Sequence, residues 1–168
     1  IRDCFVTGQI TGTFYTGTSA NSVYLGGLVA SASYGAVIER CYTNVYMNIN
    51  ATGTAKARHF LGGLIGSAEQ CTVKNCFVGG YIYAKTYSDF TGLMIGYTYY
   101  LKAQENLYWE QYEGGLFVDP MDAGISGQTT KVGEAKTMNE LYSLSWLKEH
   151  GFHVTLNVHP SQGIRPYE

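Results

Sequence analysis

The chain of 168 residues is 45% hydrophobic but only 14% charged, with a formal net charge of −2. Charged residues usually make up about a quarter of a globular chain, and without clustered Lys and Arg this balance excludes a nucleic-acid-binding surface. No apolar run reaches the length that spans a bilayer, and 21 Gly, 15 Tyr and only 3 Pro suit a β-rich extracellular protein.

Residues 1–12 alternate at the strand period. Arg2, Cys4, Val6, Gly8 and Ile10 share one face, and Asp3, Phe5 and Thr7 the other. Thr11 to Asn21 is polar and predicts a loop, and Gly26-Gly27-Leu28-Val29 predicts a short strand. A second Cys-aromatic strand starts at Cys41-Tyr42, followed by a polar tip from Asn50 to Arg58 and a strand at Gly62-Gly63-Leu64-Ile65. A third starts at Cys76-Phe77, with a tip from Lys85 to Asp89. Thr91-Gly92-Leu93-Met94-Ile95-Gly96 then reads as a looser Gly-Gly-Leu copy, with Thr91 in the place of the first glycine and Met94 inserted, which predicts a bulge. Glu105 to Trp109 looks like a degenerate fourth start, with Leu107 in the Cys slot.

After Trp109 the character changes. Residues 113–133 read as an irregular linker, and residues 134–168 as a helix-plus-strand closing unit. Thr137-Met138-Asn139-Glu140 is a capping box. Ser143 and Ser145 divide the helix into two short turns, and Gly151 is its C-terminal cap. Phe152, Val154, Leu156 and Val158 alternate as a final strand.

The two signatures recur in fixed order. Gly26-Gly27-Leu28 returns as Gly62-Gly63-Leu64 after 36 residues, and Cys4, Cys41 and Cys76 are spaced by 37 and 35. That is a tandem repeat. It predicts an all-β chain in which residues 1–112 form a short right-handed β-solenoid of three to four coils, with equivalent strands parallel and neighbouring. Glycine on both faces of the Gly-Gly-Leu strands predicts close approach of the opposite wall. The Cys face is placed inside, and Phe5, Tyr42, Phe77 and Tyr108 form an aromatic column on the other face. Four cysteines are too few for a disulfide scaffold. Strands about 4.8 Å apart hold equivalent thiols too distant and too parallel to bridge, so Cys4, Cys41 and Cys76 should form a reduced ladder. Cys71 is out of register and expected to be exposed. The chain starts at Ile1 directly on a strand, without a cap, and shows no secretory leader; the expectation is an array that continues upstream, with any leader there.

The Cys-aromatic strand followed by Gly-Gly-Leu-Val or Gly-Gly-Leu-Ile-Gly resembles the GLUG repeat, most clearly at Gly26 to Val29 and Gly62 to Gly66. The tail, with Thr137, Glu140-Leu141, Trp146-Leu147 and Gly151-Phe152, is similar to the segments that often close such arrays. The resemblance implies a β-solenoid in a large secreted or surface-anchored bacterial protein, the company of immunoglobulin A peptidases and adhesin-like proteins. It implies no activity: in the peptidases the zinc site lies in another domain, and no His-Glu-x-x-His occurs here.

Chemical candidates are sparse. His150 and His153 stand three apart, but Gly151 interrupts the helix they would need; His59 and His159 add no ligand spacing. Asp3, Glu39, Glu69 and Asp89 occupy different register positions, and Asp119 and Asp122 fall in the linker, so no carboxylate pair converges for glycoside hydrolysis. Inward thiols are inert. The reading is therefore no catalytic residue, no metal and no cofactor, with any enzymatic activity left to other domains of the parent chain. The tyrosines are the one signal above background. Tyr81, Tyr83, Tyr97, Tyr99, Tyr100, Tyr108 and Trp109 crowd the third and fourth copies, with Tyr87 and Tyr112 beside them. Such rings suit a glycan or a host surface protein, or else stabilise neighbouring strands. The expected role is a stalk, spacer or adhesive surface; a carbohydrate-binding module, or an accessory domain of a surface peptidase or glycosidase, is the alternative.

Overall fold

A computed structural model describes residues 1–16, 22–53, 58–85, 89–101, 103–110, 132–141 and 143–152. Twelve strands dominate it: β1 (Phe5–Thr16), β2 (Ser22–Gly26), β3 (Val29–Ser33), β4 (Val37–Glu39), β5 (Tyr42–Gly53), β6 (Arg58–Gly62), β7 (Ile65–Glu69), β8 (Thr72–Lys85), β9 (Asp89–Gly92), β10 (Ile95–Tyr99), β11 (Ala103–Glu110) and β12 (Glu134–Lys136). Two short helices follow, α1 (Met138–Leu141) and α2 (Leu144–Glu149).

Every described strand pair is parallel. The first sheet runs β1-β5-β8-β11-β12, with β4 also against β8; the second runs β2-β6-β9, the third β3-β7-β10. Parallel neighbours need a long crossover, usually helical. Here the crossover from β1 to β5 is made of β2 in the second sheet, β3 in the third and the short β4 back in the first, while β6 and β7, then β9 and β10, form the next two crossovers. The repeat spacings are the registers: Phe5 pairs with Tyr42 and Tyr42 with Phe77, Gly26 pairs with Gly62, and Val29 with Ile65.

The Gly-Gly-Leu signature is a corner and not a strand. β2 ends at Gly26, β3 begins at Val29, and the same break separates β6 from β7. Glycine is required there by close approach to the adjacent copy and to the corner itself, more than to an opposite wall. A Cβ on Gly26 would fall 1.9 Å from the Val29 carbonyl oxygen, and one on Gly27 2.1 Å from that of Gly63. The third copy contains no insertion. Gly92 pairs with Gly62 and Ile95 with Ile65, so Leu93 stands in the slot of Gly63. β9 and β10 are the last strands of their sheets among the described residues. No further copy among them brings a carbonyl against Leu93, and a side chain fits.

The other corners use left-handed backbone. The residue before each Cys-slot position has positive φ: Asp3 (54°), Arg40 (53°), Asn75 (51°) and Asn106 (50°). The third corner repeats the device at Tyr34, Gln70 and Tyr100. Non-glycine residues seldom adopt this conformation. Stacking supports it here: Arg40 donates to Asp3 at 2.6 and 2.9 Å, and Asn106 Nδ2 to Asn75 Oδ1 at 2.8 Å. Beside this column runs a second, Arg2, Glu39, Lys74 and Glu105, in register and alternating in sign. Arg2 meets Glu39 at 2.9 Å and Lys74 meets it at 3.6 Å. Burial works to raise the Glu39 carboxyl, but Arg40, Lys74 and Arg2 outweigh it and hold it below the ordinary range.

The core lies between the first sheet and the other two. Cys41, Cys76 and Leu107 are buried with Leu64, Ile65, Met94 and Ile95; Val45, Met47, Ile49 and Ile82 pack with Leu61. The four cysteines are free thiols. Each ladder thiol donates to the carbonyl two residues back: Cys4 to Arg2 (3.1 Å), Cys41 to Glu39 (3.3 Å), Cys76 to Lys74 (3.2 Å). The hydrogen bond with Cys41 and burial push the Cys76 thiol up. Cys71 is not exposed; it is fully buried beside the ladder, and burial raises its thiol as well.

The polar tips are shorter than expected, because β1 continues to Thr16, β5 to Gly53, and Arg58 opens β6. The closing unit begins with a strand the sequence did not announce, β12, which pairs with β11. The capping box forms: the Thr137 amide donates to Glu140 Oε2 at 2.8 Å, and the Glu140 amide to Thr137 Oγ1 at 3.3 Å. Ser143 caps α2. Gly151 at φ 78° ends it, with the Phe152 amide bonded to the Leu147 carbonyl at 2.9 Å, a Schellman arrangement. The expected linker at 113–133 (but for Val132 and Gly133) and the expected final strand beyond Phe152 lie outside the described residues.

Candidate functional site

The tyrosines divide among three places. Tyr81 and Tyr83 project from β8 on the outer face of the first sheet, 42% and 47% exposed. Tyr46 of β5, absent from the sequence-predicted site residues, pairs with Tyr81 in register, and their rings meet edge to face at 4.9 Å. Asn48 lies beside Tyr83 and Gln9 beside Tyr46. Period-two alternation along β5 and β8 places Tyr46 and Tyr81 on one face, and the repeat offset of 35 pairs them, so a signal for Tyr46 exists in the sequence.

Tyr97 and Tyr99 belong to β10 in the third sheet, and Tyr100 is the left-handed corner residue that follows. The Tyr99 and Tyr100 rings meet at 4.4 Å. The neighbouring Tyr100 and local desolvation raise the Tyr99 phenol above its ordinary value, so this group stays neutral. Tyr97 leans edge-on against Phe60 at 5.5 Å, and Phe60 in turn stacks on Tyr24 at 4.7 Å.

Tyr108 is not a surface group. The column Phe5, Tyr42, Phe77 and Tyr108 is in register as expected, but the closing unit covers it. Tyr42, Phe77 and Tyr108 are buried with Leu141, Leu147 and Phe152, and Trp146 meets Tyr108 at 4.8 Å. Burial, then Glu134, pushes the Tyr108 phenol up. Only Phe5 at the start of the column remains exposed. Trp109 occupies a register place between Val78 and Ala135. Tyr87, Tyr112, Asp119, Asp122, His153 and His159 lie outside the described residues.

The geometry offers flat, amphipathic rings on two separate sheets of the described residues. Among the same residues no three His, Cys, Asp or Glu side chains converge to hold a metal, and no helix is long and apolar enough to cross a membrane. His59 is buried in β6, and His150 bonds the Trp146 carbonyl at 2.8 Å. Compared with family models, curated proteins and solved structures, the chain matches none.

Proposed function

We propose that this chain is a right-handed, GLUG-type β-solenoid module of a larger secreted or cell-surface bacterial protein, serving as a stalk, spacer or adhesive surface without catalysis of its own. The observation that carries the reading is that equivalent strands pair parallel and in register across copies in all three sheets. A chain built this way gains length with every copy, about 5 Å each. Right-handedness follows from the near-universal hand of parallel crossovers. The test is a surface display series carrying none, one or two modules beneath a fluorescent reporter, with reporter height measured above the wall. Height that rises linearly with module number supports the stalk; constant height overturns it.

A glycan-binding reading is favoured by one observation, the exposed Tyr81 and Tyr83 beside Tyr46 on a single outer face. Tyr81 and Tyr83 lie two residues apart, about 7 Å along the strand. Because the tyrosines divide between sheets, Tyr81→Ala/Tyr83→Ala and Tyr99→Ala/Tyr100→Ala are separate probes. Glycan-array binding lost with the first pair and kept with the second establishes this reading; a blank array removes it.

A further inference from the structure

The inward cysteines of the first sheet stand in single file. The Phe77 amide donates to the Cys41 carbonyl at 3.1 Å, and Tyr42 pairs with Phe77 in register just beyond, so Cys41 and Cys76 are neighbours on adjacent copies. Leu107 pairs with Cys76 and ends the file. Both thiols are 0% exposed, lie in one apolar cluster and are hydrogen-bonded to each other. Carbonyl oxygens flank them. That of Glu39 is 3.3 Å from Cys41 Sγ, and those of Lys74 and Ile38 are 3.2 and 3.9 Å from Cys76 Sγ.

In-register neighbours on parallel strands are about 4.8 Å apart. A disulfide brings two sulfurs to about 2.05 Å in a turned geometry, which this spacing bars. A metal–thiolate bond is about 2.3 Å long, so two of them in line span about 4.6 Å. The distance that excludes a disulfide therefore fits one ion held end to end between two sulfurs. Linear coordination by two sulfurs suits soft closed-shell cations, and thiolates are ligands of Cu(I). Structural zinc takes four ligands, and among the described residues no three His, Cys, Asp or Glu side chains converge.

We propose that Cys41 and Cys76 hold a single cuprous ion in line between their sulfurs, enclosed inside the stack. Copper stays Cu(I) throughout. One thiol releases its proton to water and bonds the ion as a thiolate; the other binds through a lone pair and keeps its proton. The buried site then carries no net charge, which avoids the cost of an unpaired ion in an apolar core. The flanking carbonyls of Glu39, Lys74 and Ile38 turn the negative ends of their dipoles toward the pair and suit a cation there. Such an ion ties two successive copies together by bonds that strand pairing does not supply. The site needs only two neighbouring copies and stands apart from the stalk and glycan readings.

The test incubates the chain with Cu(I) under argon in urea below the unfolding midpoint, where transient opening admits the ion to a site closed in the native fold. Urea is then removed, a copper chelator strips accessible metal, and copper per chain is counted. One equivalent should remain, and the urea midpoint should rise above that of the metal-free chain. X-ray absorption should show two sulfur neighbours at about 2.3 Å and no third. Serine can donate to the same carbonyls, so Cys41→Ser and Cys76→Ser keep the fold, which circular dichroism checks, and each should lose the retained copper. Cys4→Ser and Cys71→Ser should keep it, and zinc offered in place of Cu(I) should wash off. A wild-type chain that retains no copper overturns the proposal. So does copper kept by Cys41→Ser or Cys76→Ser, copper lost with Cys71→Ser, zinc that stays, or a shell of three or more sulfurs.

Discussion

Gly63→Ala tests whether copies stack backbone to backbone at the Gly-Gly corner. The added Cβ would lie 2.1 Å from the Leu93 carbonyl oxygen and 2.6 Å from Val78 Cγ1. A valine methyl can turn aside, but the carbonyl belongs to the hydrogen bond from the Gly63 amide at 3.0 Å, next to the bonds from Leu64 and Ile65 to the Met94 carbonyl. Restoring van der Waals separation means opening that corner. Losing one or two backbone hydrogen bonds at about 1 kcal/mol each, with overpacking of about 1–3 kcal/mol, gives roughly 2–5 kcal/mol. Alanine restricts the unfolded chain and returns about 0.4–1 kcal/mol. The net expectation is a loss of about 2–4 kcal/mol, or a fall of roughly 5–15 °C in Tm for a domain of this size. Urea unfolding followed by circular dichroism measures it, with the exposed Ser31→Ala as reference. A Gly63→Ala protein as stable as the reference would refute the corner-stacking argument, and with it the explanation of why Leu93 is tolerated one copy later.

Cys76→Ser should cost only about 1 kcal/mol in urea unfolding, because the Lys74 carbonyl that receives the thiol can receive a hydroxyl; a buried hydroxyl left without a partner would cost about 1–3 kcal/mol. A thiol reagent should modify half-exposed Cys4 first and reach Cys41, Cys71 and Cys76 only on unfolding. Glu39 titrates below its ordinary value in the fold, so it stabilises the fold above the ordinary carboxylate pKa, and that contribution disappears as pH falls through the lowered one. Glu39→Gln should flatten this acid limb of the stability profile, and a profile unchanged by the substitution would count against the charge column. Leu147→Ala, at a fully buried site, should cost the closing unit about 2–5 kcal/mol and red-shift Trp146 emission while the sheets keep their far-ultraviolet signal.

The parallel registers were legible in the sequence because strand partners in a repeat are a fixed number of residues apart, and the spacings of Cys4, Cys41 and Cys76 stated that number. The corners were not. Asp3, Arg40, Asn75 and Asn106 share a backbone conformation but no residue type, and none is glycine, so composition could not reveal them. The alternating column was present two residues before each Cys-slot position, as Arg2, Glu39, Lys74 and Glu105, and only aligning the copies on the cysteines makes it visible. The tyrosines misled for another reason. Crowding in sequence implied one patch, yet a repeat that feeds three sheets in turn deals neighbouring residues to different faces. Tyr108 was lost to the surface through Leu141, Leu147 and Phe152, which lie outside the repeat and carry no sign of where they dock.

A chain of equivalent strands repeated at one spacing faces a hazard during folding: copy one can zip onto copy three, leaving copy two looped out. The alternation of Arg2, Glu39, Lys74 and Glu105 makes that error self-revealing. Nearest neighbours bring opposite signs together, whereas a skipped copy sets Arg2 beside Lys74, and skipping the next sets Glu39 beside Glu105. Like charges directly across a ladder cost on the order of 0.2–1 kcal/mol apiece. That is little in a finished fold, but it is large enough to bias a strand still choosing its partner. The column would thus serve as a parity check on the order of assembly, written in the same side chains that pair in the finished fold.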